Sequence, residues 1–231
     1  MMIDRRESAT DVVRYGPDVP TERELRLLGD VTGKRVLDLG AGNGQAGIAF
    51  AKQGATVLAV DPSKDAVAEG RRAAEREDAR IEWHVCDLAD LAFLRADSID
   101  LAFSAQALAE TDDLGRVFRQ VHRVLRPNAP LVFSYDHPMA LCVARDGGDA
   151  APGALPLGTL TVRRSWFDPT PRTSERQGAT HTIYPRSISD LFSQLGRAGF
   201  RVDTLLEPAP TSEPNPLIPA TVVIRARKEG S

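Results

Sequence analysis

The chain has 231 residues, 42% of them hydrophobic and 26% charged, with a net charge of −3. This suits one globular domain spanning 1–231 and gives no basic surface for tracking a phosphate backbone, so no nucleic-acid partner is expected. No stretch nears the ~18 apolar residues of a membrane span, the charged start lacks a secretory apolar run, and two cysteines, Cys86 and Cys142, give neither a disulfide framework nor a metal spacing, so the expectation is a cytoplasmic protein without metal or membrane partner.

In chain order, Thr21 to Glu24 has the spacing of a capping box, predicting a short helix before any sheet. Residues 1–30, with Arg14-Tyr-Gly-Pro17, are a candidate N-terminal lid. Arg35-Val-Leu-Asp-Leu39 reads as an apolar strand running into glycines 40, 42 and 44. A helix over 46–53 follows, ended by Gly54. Val57-Leu-Ala-Val-Asp61 is a second strand, and Ser63 caps a helix over 64–76. Residues 80–85 alternate as a third strand, and 98–104 hold a fourth. Asp112 or Asp113 caps a helix that places Leu114, Val117, Phe118, Val121 and Leu125 on one face, stopped by Pro127. Residues 131–135 form the fifth strand. Ser187 caps a helix closed by Gly199, and strands follow over 200–206 and 221–227. Strands alternating with helices predict an α/β, doubly wound, Rossmann-like sheet of seven mostly parallel strands.

Two regions break this pattern. Residues 136–185 form an insert after the fifth strand, holding Pro138, Pro152, Pro156, Pro169, Pro171, a Gly147-Gly148 pair and a potential hairpin strand over 160–167. A lid or substrate wall is one reading and a surface loop the other. Residues 208–219 carry five prolines and read as a stiff connection between the last two strands.

Glycines after a strand let a ligand approach the backbone closely, and an acid ending the next strand can accept ribose hydroxyls. Residues 42–47 formally satisfy G-x-G-x-x-G, the dinucleotide pattern. Asp38, two residues before the first glycine, argues against it, because a carboxylate there repels a pyrophosphate and attracts an ammonium. S-adenosylmethionine carries an ammonium, a sulfonium and an adenosine but no phosphate, and fits the loop better.

On these residues the chain resembles the class I S-adenosylmethionine-dependent methyltransferases. Val36 to Gly44 resembles their first motif, Ala59 to Ser63 their ribose-binding strand end, and His84 to Leu91 their adenine-side acidic motif. Ser98 to Ser104 resembles their fourth strand, and His122 to Phe133 the proline turn into the fifth. The likeness covers 33–135 and resumes over 186–228, and is greatest to small-molecule methyltransferases. It implies an antiparallel last strand and a cofactor site built from Tyr15, Asp38, Gly40, Ala41, Gly42, Asn43, Gly44, Asp61, Pro62, Ser63, Cys86, Asp87, Leu88, Ser104, Ala105 and Gln106. Asp61 would hold the ribose, Asp87 the adenine amino group and Leu88 the ring face. Asp38 would either meet the ammonium or orient loop amides. The signature of base and protein-amide methylation, Asn-Pro-Pro-Tyr, is absent, which also argues against nucleic-acid substrates.

The implied reaction moves a methyl group from S-adenosylmethionine to oxygen or nitrogen of a small organic acceptor, releasing S-adenosylhomocysteine, in a monomer or homodimer. Alignment of the nucleophile is a large share of such a displacement, and a base helps where the nucleophile carries a proton. His137, just past the fifth strand, and His181, in the insert, are the candidate bases, with pocket shaping as their other role. Trp166, Phe167 and Tyr184 either wall an acceptor or form the insert's own core. Two alternatives remain at this point: an NAD-dependent oxidoreductase, for which no Tyr-x-x-x-Lys is present, and a non-catalytic adenosine-ligand sensor.

Overall fold

The computed structural model describes residues 10–145, 160–176, 179–211 and 217–230. The Gly147-Gly148 pair, Pro152, Pro156 and part of the proline-rich connection lie outside the described residues. Eleven described strands and six α-helices follow one another. They are α1 Glu22–Leu25, β1 Arg35–Leu39, α2 Gln45–Lys52, β2 Thr56–Asp61, α3 Lys64–Arg76, β3 Ile81–Val85, β4 Leu101–Ala105 and α4 Leu114–Val124. Then come β5 Pro130–Asp136, α5 Pro138–Cys142, β6 Val143–Arg145, β7 Leu160–Val162, β8 Arg172–Arg176, β9 Ala179–Ile183, α6 Ile188–Arg197, β10 Phe200–Leu206 and β11 Thr221–Lys228.

Seven strands form one sheet in the order β10-β11-β5-β4-β1-β2-β3. β11 runs antiparallel to both neighbours, and the pairs among β1 to β5 are parallel. The expected seven-stranded sheet with an antiparallel last strand is therefore the observed one. The central strands are apolar nearly throughout because both sheet faces are covered. One core layer packs α4 and α6 against the sheet through Phe118, Leu191 and Phe133. The other packs α2 and the N-terminal segment against it through Phe50, Phe103, Tyr15 and Leu28.

Local chemistry explains the helix starts. Ser63, Asp113 and Ser187 each accept from the backbone N–H three residues on, at 3.2, 2.9 and 3.1 Å. Of the two candidates for the α4 cap, Asp113 is the one used. At α1 the Thr21 N–H donates to Glu24 Oε2 at 2.8 Å.

The insert folds as α5 and two small ribbons, β6 with β7 and β8 with β9. Tyr184 N donates to Ala109 O at 2.8 Å, which ties the end of β9 to a 3₁₀ turn, Ala107–Glu110, just after β4. The second ribbon is thereby fixed at the carboxyl edge of the sheet, where open α/β folds bind ligands.

Candidate cofactor cleft and acceptor end

β1 ends in three left-handed glycines, with φ of +70°, +52° and +83° at Gly40, Gly42 and Gly44. Each constraint has a visible cause. A Cβ on Gly40 would lie 2.0 Å from the Ala107 Cβ, and one on Gly44 would lie 2.8 Å from the Trp83 ring. At Gly42 it would meet nothing within 4 Å, because that Cα faces the open cleft. The loop is clamped to β2 by Gly40 N and Ala41 N donating to Val60 O at 2.8 and 3.1 Å.

Asp61 completes the clamp. Its Oδ2 accepts from Gly42 N and its Oδ1 from Ser63 N, each at 2.8 Å. The carboxylate thus joins the glycine loop to the start of α3. Each oxygen still has acceptor capacity for a ligand hydroxyl.

The cleft beside this clamp has a volume of about 1380 Å³. It runs from the ends of β2 and β3, across the glycine loop, to the 3₁₀ turn after β4 and on to β9. Of the expected cofactor residues, Gly40, Gly42, Asn43, Asp61, Pro62, Ser63, Asp87, Leu88, Ala105 and Gln106 line it. Asp87 Oδ1 accepts from Ala89 N at 2.7 Å, and Leu88 is buried with a face on the cleft. Gln106 lines it in a left-handed conformation, φ +62°, which is costly for a residue with a side chain and recurs at functional sites.

Other expected residues lie behind the cleft. Ser104 is fully buried and donates to Leu39 O at 2.8 Å, bridging β4 to β1, so it braces the sheet instead of facing the cofactor. Cys86 is half-buried, its thiol donates to Asp90 O at 3.5 Å, and burial pushes its acidity down. Tyr15 is also corrected: it is fully buried in the N-terminal core against Phe103, its hydroxyl donates to Glu22, and burial raises its pKa. Ala41 and Gly44 shape the loop from beneath without lining the cleft.

Asp38 is 2% exposed under the loop. Burial pushes its pKa up to about 7, a Gly47 N–H hydrogen bond opposes this, and the Asp61 charge adds to it. Its Oδ2 is buried without a hydrogen-bond partner. A buried acid with an unused oxygen behind the loop is suited to a cationic ligand group and hostile to a phosphate.

The acceptor end is built differently from expectation. His137 does not line the cleft. It is 6% exposed, its Nδ1 accepts from Met139 N at 3.1 Å as the cap of α5, and its Nε2 pairs with Glu207 Oε1 at 2.8 Å. Both ring nitrogens are committed, so His137 is a structural cap and not a base facing substrate. His181 does line the cleft, and its Nδ1 lies 2.8 Å from Glu110 Oε1. Glu110, on the 3₁₀ turn, was not singled out in the sequence, because its partner is 71 residues away. Tyr184 also lines the cleft, whereas Trp166 and Phe167 do not, and Phe167 is 87% exposed.

A family model for a methyltransferase domain matches residues 36–128. The ubiquinone biosynthesis O-methyltransferase of Xanthomonas oryzae pv. oryzae is 30% identical over 132 residues, 56% of this chain and 55% of that protein. The chain thus spans about half the length of the curated relatives it matches. A solved structure from Listeria monocytogenes, assigned to the S-adenosylmethionine-dependent methyltransferases, is 26% identical with a TM-score of 0.73, covering 90% of this chain and 98% of that one. The S-adenosylmethionine-dependent methyltransferase from Mesorhizobium loti is 30% identical over 89% of this chain and 96% of its own, also with a TM-score of 0.73. The chain belongs to the S-adenosylmethionine-dependent methyltransferases.

Membership assigns S-adenosylmethionine as the cofactor, and this methyltransferase's residues fit it. The Gly42 backbone is open to a ligand, Asp61 offers hydroxyl acceptors, and the buried Asp38 keeps one oxygen, Oδ2, without a partner behind the loop. The dinucleotide alternative fits poorly, since Asp38 is buried directly under the glycine loop, where its carboxylate would repel a pyrophosphate.

Proposed function

We propose that this methyltransferase transfers a methyl group to a hydroxyl of a small organic acceptor. The carrying observation is the His181–Glu110 pair at the acceptor end of the cleft. Glu110 accepting at Nδ1 fixes the tautomer in which Nε2 carries a lone pair. An Nε2 in that state can take the proton of a hydroxyl as it becomes a nucleophile, and Glu110 stabilises the imidazolium that results. When bound, S-adenosylmethionine supplies a methyl already activated on a sulfonium, leaving as the neutral thioether of S-adenosylhomocysteine.

The chain's own residues then hold and orient. Asp61 receives the ribose, Asp87 and Leu88 flank the adenine, and Tyr184 with His181 borders the acceptor. A hydroxyl is favoured over an amine because it needs the base most, and the curated relatives are O-methyltransferases by name. The cleft volume suits a small molecule together with the cofactor.

The test is an acceptor screen with methyl-labelled S-adenosylmethionine against phenols, catechols and aliphatic alcohols, with amines as the contrasting arm. The reading expects labelled ethers, and a rate that falls by a hundredfold or so in His181→Ala. Glu110→Gln should shift the pH profile of turnover while leaving S-adenosylhomocysteine affinity unchanged. Labelled amines only, or a His181→Ala enzyme within tenfold of the parent, would refute it.

A further inference from the structure

A second concavity of about 460 Å³ lies where α5, the two ribbons and the segment after β7 meet. It shares no lining residue with the cofactor cleft. Arg163, Arg164 and Arg172 border it, and no carboxylate does among the described residues. The backbone holds two of these arginines in place, since Arg163 N and Arg164 N both donate to Cys142 O, at 2.9 and 3.2 Å. Arg164 is already engaged outside the pocket, its Nε donating to Asp168 Oδ2 at 2.6 Å and its Nη2 to Thr170 O at 2.9 Å. Arg172 Nε is buried with no hydrogen-bond partner. A buried, unused guanidinium N–H is costly unless something accepts from it.

We propose that this pocket binds a phosphate group, as free anion or as the phosphomonoester of a small organic molecule. Forked guanidinium donors match phosphate oxygens in pairs, and Arg172, whose Nε has no partner, offers such a fork here. The volume falls within the ~300–1,000 Å³ of organic-ligand pockets, so it admits more than a lone phosphate. Burial and the Arg164 charge both push the acidity of Arg172 up, a strain that an anion would relieve. The site stands apart from the methyl-transfer reading and does not depend on it.

Calorimetric titration of the full chain tests it, with inorganic phosphate and phenyl phosphate as probes and acetate as the singly charged control. Saturable phosphate binding that weakens with salt and exceeds acetate binding is expected. Arg172→Gln should weaken it about tenfold or more. Arg172→Lys, which keeps charge but not the fork, should also weaken it. S-adenosylhomocysteine affinity, measured in parallel, should stay within twofold and reports that the variant is folded. Should Arg172→Gln unfold, the exposed Arg163→Gln carries the test. Tighter binding of phenyl phosphate assigns an organic phosphate; equal binding assigns the free anion. No saturable phosphate binding, binding unchanged in folded arginine variants, or competition with S-adenosylhomocysteine would overturn the site.

Discussion

Asp38 makes the stability of this chain depend on pH in a direction opposite to most acids. Its carboxyl is held near pH 7 by burial when folded, against an ordinary value of 3.8. The folded state therefore binds a proton that the unfolded state has released between these limits. Stability contributed by Asp38 is full below about pH 4 and declines as pH rises towards 7. A shift of roughly three units at 1.4 kcal/mol each corresponds to a loss of up to about 4 kcal/mol across that window. Asp38→Asn keeps the acceptor for the Gly47 N–H and removes the titration. Urea denaturation at pH 5 and pH 8 should show the parent losing about 3 kcal/mol relative to the variant on going to pH 8, since about two of the three units lie above pH 5. The same variant separates the two roles left open for Asp38. If its carboxylate meets the cofactor ammonium, binding favours the ionised form, releases a proton near neutrality, and weakens in the variant. If it only orients loop amides, affinity changes little. Parallel stability profiles for parent and Asp38→Asn would refute the buried-acid reasoning.

Asp61→Ala removes the acceptor for Gly42 N and Ser63 N as well as the proposed ribose contact. Calorimetry should show S-adenosylhomocysteine affinity falling about ten- to a hundredfold in a folded variant, since a hydrogen bond to a charged group is worth roughly 1.5–3 kcal/mol. Gly70→Ala drives a Cβ to 2.4 Å from the Trp83 ring, so thermal unfolding should show a loss of about 1–3 kcal/mol from overpacking between α3 and β3. His137→Ala should cost about 1 kcal/mol of stability through the lost α5 cap, with turnover reduced less than tenfold.

What was legible in the sequence was local or periodic. The glycine loop, the Ser63 and Ser187 caps and the alternation of strands and helices all depend on neighbours a few residues apart. The site residues that went astray depend on direction in three dimensions. Ser104 adjoins the cleft residues Ala105 and Gln106 in sequence but points into the sheet, and Tyr15 points into the N-terminal core. His137 follows the fifth strand as a substrate-facing residue would, yet its ring turns back to cap the helix it begins. Glu110 carried no signal because nothing in its own surroundings marks it; only the folding of the insert onto the 3₁₀ turn brings His181 to it. Gly70 lies inside α3 with nothing local to mark it; the packing of Trp83 from β3, a partner thirteen residues on, is what leaves no room for a Cβ there.

The structure of the complex with S-adenosylhomocysteine tests the central claim most directly. The account predicts the ribose on Asp61, the adenine beside Asp87 and Leu88, and the thioether sulfur facing His181 and Tyr184. A sulfur facing Asp65, Glu69 and Arg72 at the other end of the cleft would contradict it, because the His181–Glu110 pair would then lie out of reach of the transferred methyl.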